Sequence, residues 1–177
     1  MSRTMAEAQL PKRIDAISFV EDNQQLSGKI DSEKLTRFSD AVEDCKAPVR
    51  YILEFHRDQE GNRVISGSCE TQVVMICQRC LNQVELPVSS SFELGLVFND
   101  DQAKQLPRQL EPAEVDEHGV LELWEVLEDE ALLALPSFPT HPQGECELRQ
   151  PEPVPETTDS DEKRPNPFDV LAQLKQK

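Results

Sequence analysis

The sequence predicts an α+β fold, mainly an antiparallel β-sheet that could roll towards a barrel, with two or three helices and a flexible acidic C-terminal linker. Two observations carry that expectation. Val49, Tyr51, Leu53 and Phe55 alternate with Arg50, Ile52, Glu54 and His56, the period of a half-buried strand. Further β-prone segments follow at Val64–Ile76, Val84–Val88 and Phe92–Phe98, joined by short turns.

Taken in order, residues 1–9 are polar and expected to be disordered. Leu10–Val20 contains a short extended segment, with Ile14, Ala16 and Ser18 alternating against Asp15, Ile17 and Phe19. Asp31-Ser32 can cap a helix over about Glu33–Asp44, whose Leu35, Phe38 and Val42 form one stripe before Ala47-Pro48 ends it. Asp58–Asn62, with Gly61 free to take positive φ, has hairpin length. Gly67 would bulge or bend the long strand that follows. Asn99–Gly119 is a polar, carboxylate-rich connection, and Val120–Leu123 can add a strand. Trp124–Leu135 is the strongest helix, stopped by Pro136, with Trp124, Leu127, Ala131 and Leu135 on one face and Val126 and Leu133 on a second. A single domain over 10–147 is therefore expected. An acidic, proline-punctuated linker follows at 148–165, then a short amphipathic docking helix at 166–177 with Asn166 as N-cap and Phe168, Leu171 and Leu174 on its apolar half. A helix that short needs a surface to dock on.

The net charge is −16, and it is uneven. Residues 1–100 hold 11 Lys/Arg against 16 Asp/Glu, whereas 101–177 hold 7 against 18. Such a chain repels phosphate backbones and suits a basic protein partner, of which ribosomal proteins are the obvious cellular class. No apolar run has the length to span a bilayer, and Met1–Gln9 lacks the apolar core of a signal peptide, so no membrane association is expected. A cytoplasmic location follows, with five reduced cysteines.

Cys77-Gln78-Arg79-Cys80 lies on a turn between two strands, and three readings compete for it. As half of a zinc site it needs two more ligands, and His141 and Cys146 in HPQGEC supply them. As a redox pair it would want a helix N-terminus after the cysteines, whereas its flanks are β-prone. As plain structure, the two cysteines are small residues in a tight turn. Cys69 lies on the same strand, about 26 Å from Cys77 if the strand is straight, and makes a poor fourth ligand.

Glu125, Glu128 and Asp129, with Glu130, crowd the Trp124–Leu135 helix. Paired carboxylates can hold a divalent cation or act as acid and base, but no His, nucleophile or Gly-rich loop accompanies these. A solvated face offered to a basic surface is the better reading. Arg50, Arg57, Arg63 and Arg79 are the candidates for direct RNA contact. No Walker loop, Rossmann glycines, HExxH or serine elbow occurs, and neither a small-molecule substrate nor a catalytic residue is expected.

The CQRC turn, the block EPAEVDEHGVLELWEVLEDEALLALPSFPTHPQGEC at Glu111–Cys146 and the ending RPNPFDVLAQLKQK at Arg164–Lys177 closely resemble the YceD family of large ribosomal RNA subunit accumulation proteins. The resemblance is specific at those three places and only general over residues 1–70. It implies a bacterial cytosolic protein, with plastid relatives, needed for synthesis, processing or stability of 23S ribosomal RNA. Other branches of the family carry more cysteines where this chain has His141 and Cys146, so their metal-binding pattern is fuller. The expected function is non-enzymatic support of large-subunit biogenesis, with a ribosomal protein, a large-subunit precursor or 23S rRNA itself as partner. The competing class is a zinc- or thiol-dependent enzyme or redox module using Cys77 and Cys80.

Overall fold

A computed structural model describes residues 8–146. The expected linker and docking helix, including Phe168, Leu171 and Leu174, lie outside the described residues, as do residues 1–7. The chain runs β1 (Ile14–Asp15), α1 (Ala16–Glu21), β2 (Gln25–Ile30), a 3-10 turn (Ser32–Lys34), α2 (Thr36–Asp40), β3 (Asp44–Cys45), β4 (Val49–Arg57), β5 (Arg63–Ile76), β6 (Gln83–Val97), α3 (Asp100–Ala103), β7 (Glu111–Glu114), β8 (Val120–Leu121) and α4 (Leu123–Leu133).

The fold is α+β. Its main sheet has the order β2-β4-β5-β6-β7, with β3 also paired to β5, and it stays open between β2 and β7 rather than closing into a barrel. All its pairings are antiparallel except β6–β7, which is parallel. A small second sheet joins β1 to β8. The alternation of β4 is realised, with Val49, Tyr51, Leu53 and Phe55 buried and Arg50, Ile52 and Glu54 exposed. Ile65, Cys69 and Val73 of β5 and Val88, Phe92, Leu94 and Leu96 of β6 extend the same buried face. Onto it pack Ala16 and Val20 of α1, Phe38 of α2, and Leu123, Leu127 and Ala131 of α4.

Four expectations are corrected. Residues 16–21 are helical, not extended, because Asp15 caps them by accepting from the Ser18 N–H (3.0 Å) and hydroxyl (2.7 Å). The 33–44 helix breaks into the 3-10 turn, the five-residue α2 and β3, although Leu35 and Phe38 are buried as the stripe requires. β6 is one strand of 15 residues, since Ser89-Ser90-Ser91 continue the ladder and Pro87 sits where β6 has only β5 beside it. Gly67 makes no bulge: the register passes unbroken through Leu53↔Gly67↔Phe92. Its role is steric, because a Cβ there would stand 2.2 Å from the Phe92 ring and 2.9 Å from Leu53.

Gly67→Ala should therefore destabilise the domain by about 1–3 kcal/mol, the usual cost of overpacking. Denaturant unfolding of Gly67→Ala, Phe92→Leu and the double variant should show the second change recovering part of the first. Strictly additive losses would contradict the clash.

Candidate metal centre

The candidate centre sits at the far end of the β5–β6 hairpin. There the chain turns in six residues, with the Cys77 N–H donating to the Asn82 carbonyl (2.9 Å) and the Leu81 N–H to the Cys77 carbonyl (2.9 Å). Leu81 takes φ 61°, a left-handed conformation that costs a leucine about 1–2 kcal/mol. Cys77 is buried and Cys80 half-buried.

The loop after α4 closes over this turn. The Gln78 N–H donates to the Pro139 carbonyl (2.8 Å), and the Arg79 guanidinium to the His141 carbonyl (3.0 Å). Arg79 thus folds back on the loop while remaining exposed. These contacts set Cys77 Sγ 3.7 Å from Cys146 Sγ, Cys80 Sγ 3.4 Å from His141 Nδ1, and Cys146 Sγ 3.9 Å from His141 Nδ1. All four ligand atoms lie within 4.8 Å of one another. Two sulfurs 3.7 Å apart are not a disulfide, whose bond is about 2.05 Å. With zinc–sulfur bonds of about 2.3 Å and zinc–nitrogen bonds of about 2.0 Å, a tetrahedron has edges of about 3.5–3.8 Å. The three distances above lie near that range and the rest stay within 4.8 Å, so the cluster can hold a metal ion.

The surroundings favour it too. The second ring nitrogen of His141, Nε2, lies 3.1 Å from the Gln83 carbonyl. A hydrogen bond there puts the ring proton on Nε2 and leaves Nδ1 a free lone pair towards the sulfurs. Burial raises the Cys77 thiol's pKa, but N–H groups of Cys80, Arg79 and His141 outweigh it and hold the pKa well below the thiol range. Cys146 is pushed the other way, by burial and then by hydrogen bonds and charge from Cys80 and Cys77. Crowded thiols that cannot all ionise together are a donor set suited to a cation. The supporting carbonyls of Gln83 and Pro139 leave no mark in the sequence, since any residue type presents them.

Neither remaining cysteine joins the cluster. Cys45 Sγ is 3.1 Å from the Ala47 carbonyl, and Cys69 is buried on the inner face of β5.

The carboxylates of α4 divide. Glu125 and Asp129 are exposed, whereas Glu128 and Glu130 are buried, so only the first pair belongs to a solvated face. Glu128 accepts from the backbone N–H groups of Arg37 (2.7 Å) and Phe38 (3.2 Å), capping α2, which has no side-chain cap of its own. It also takes the Arg37 guanidinium (3.0 Å), whose other arm reaches Asp129 (2.5 Å). Leu133, placed by the sequence on the helix's second apolar face, is 71% exposed. Among the candidates for RNA contact, Arg57 and Arg63 pair with Glu21.

Residues 65–175 match the family model described as Large ribosomal RNA subunit accumulation protein YceD. A relative bearing that same description, from Haemophilus influenzae (strain ATCC 51907 / DSM 11121 / KW20 / Rd), is 34% identical over 177 residues, which cover 98% of this chain and 100% of the relative. The chain belongs to the YceD family. No solved structure matches it. The YceD match takes in all four residues of the Cys3His cluster and both faces of α4.

Protein purified without chelator should carry about one zinc per chain, and Cys77→Ser should lose it. Metal analysis of the two proteins checks this. Metal-free wild type would contradict the site.

Proposed function

We propose that this YceD-family chain supports accumulation of the large-subunit ribosomal RNA as a binding factor that catalyses no reaction, acting in synthesis, processing or stability of 23S rRNA. The single observation that carries this reading is the full-length match to a relative described as a large ribosomal RNA subunit accumulation protein. The reading places the protein in the cytoplasm, and no helix among the described residues is long and apolar enough to cross a membrane.

The ion assigned to the Cys3His cluster is zinc, in a structural role. Four protein ligands fill a tetrahedral shell, whereas catalytic zinc keeps one position for water or substrate. The thiolate that the surrounding N–H groups favour at Cys77 faces the other ligands of the cluster, where zinc would hold it from thiol exchange. Both points speak against the zinc- or thiol-dependent enzyme.

The partner is a basic protein of the large subunit or a precursor containing one. Support comes from the net −11 of residues 101–177 and from the exposed carboxylates Glu125 and Asp129. The Asn166–Lys175 segment, with Phe168, Leu171 and Leu174, adds a second, tethered contact that raises effective concentration.

Depleting the protein should lower the ratio of 23S to 16S rRNA, and re-expression should restore it. An unchanged ratio would contradict the proposed role. Deleting Pro165–Lys177 should reduce co-sedimentation with large-subunit precursors. If the truncated chain co-sediments as fully as the intact one, the tether has no part in binding.

A further inference from the structure

A groove of about 560 Å³ lies between β7, the last strand of the main sheet, and α4. Seven carboxylates and one guanidinium, Arg13, line it. Arg13 answers Glu122 (2.6 Å) and Asp116 (3.8 Å), and Arg37 answers Asp129 from beside the groove. Glu111, Glu114, Glu125 and Glu130 have no ion-pair partner among the described residues.

Glu130 is the unusual member. It is 7% exposed and lines the groove, and its side-chain carboxylate, unlike its backbone carbonyl, receives no hydrogen bond from any described residue. Burial, then the charges of Glu111 and Asp129, raise its pKa. Its oxygens open onto the groove rather than into a closed interior, and a carboxylate so poorly hydrated and without a donor is one that a cationic partner would stabilise. Neutral burial is the usual solution at such a position, and a leucine or alanine would fit an ordinary helix face.

We propose that this groove is a docking site for an arginine- or lysine-rich segment of a protein partner, with the Glu130 carboxylate as its buried anchor. The inference rests on the proposed function and names the chemistry of its partner. The aliphatic stem of such a side chain would lie over Val126 and the exposed Leu133, which line the same groove, while its head reaches Glu130 and Glu111. Recognition runs through side chains, because Pro112 in the middle of β7 hinders regular strand addition at this edge. A nucleic acid would meet seven carboxylates with its phosphates. A divalent cation fits less well: among the described residues, the grouping at metal-ligand distances is the Cys3His cluster, not these acids.

The test is fluorescence anisotropy of a fluorescein-labelled oligo-arginine peptide titrated with the full chain. The Glu111→Gln/Glu130→Gln double variant should bind about tenfold more weakly or worse. Glu54→Gln/Glu93→Gln removes the same charge from the exposed outer face of the sheet and should change affinity less than about twofold. Equal losses in the two double variants would reduce the effect to net charge and overturn the groove. Glu130→Gln should melt no lower than wild type, since it relieves a buried charge. Should it unfold instead, Glu111→Gln alone still decides between binding and no effect. Tighter peptide binding after deletion of Pro165–Lys177 would make the chain's own tail the occupant, and peptide displacement by an RNA oligomer would make it RNA. Either overturns the protein partner. In depleted cells, a Glu111→Gln/Glu130→Gln protein that restores the 23S to 16S ratio as well as wild type overturns this inference alone. Failure of wild type to restore it overturns the proposed function.

Discussion

The ladder between β5 and β6 is the constraint on which the rest of the structure depends. Thirteen residue pairs, from Val64↔Gly95 to Ile76↔Gln83, hold the two strands in one register over about 40 Å. One stretch of that ladder carries Ile65, Phe92 and Leu94 into the core, and the far end, past the buried Val73, carries the Cys77–Cys80 turn. A register slip of one residue would turn the buried set outward and misplace both cysteines together. Gly67 helps fix the register, because only a residue without Cβ leaves room for the Phe92 ring opposite.

The helix α4 is secured against this frame along its whole length. Trp124 Nε1 donates to the Leu10 carbonyl at its start (3.0 Å), and the Tyr51 hydroxyl donates to the Leu127 carbonyl at its middle (2.8 Å). Glu128 binds it to α2, and after its last turn the chain runs directly into the loop that closes over the cysteine turn. Buried hydrogen bonds of this kind contribute about 1 kcal/mol each, and those to a charged group about twice that. Their main consequence is rigidity: the acidic groove beside α4 is held open by residues that do not line it, Tyr51 and Trp124 among them. The Cys3His cluster, on this account, is architecture rather than chemistry.

The sequence told most where side-chain pattern and backbone geometry agree. The alternation in Val49–His56, the hairpin loop with Gly61 at φ 87°, and the helix ending before Pro136 were all readable. So was the grouping of Cys77 and Cys80 with His141 and Cys146, because HPQGEC offers the two residue types that could complete a cysteine pair on a turn. What hid was tertiary in origin. The β2 strand, with Ser27, Gly28 and Lys29, has little β-propensity and forms as an edge beside β4; β7 is four residues long, contains Pro112, and exists because it pairs with β6. Glu128 looks like any surface glutamate until α2, 91 residues earlier, brings two uncapped N–H groups to it. Glu130 gives no signal at all, since its burial depends on the crossing of α4 over the end of the sheet.

The most direct measurement of the central claim is amide hydrogen exchange on metal-loaded and chelator-stripped protein. If the cluster is a local clamp on the α4 loop, the Gln78 amide, bonded to the Pro139 carbonyl, should lose protection when metal is removed. Amides of the β5–β6 ladder near Phe92 and of α4 should keep theirs. Equal exchange at Gln78 in both forms, or loss of protection across the whole domain, would contradict it.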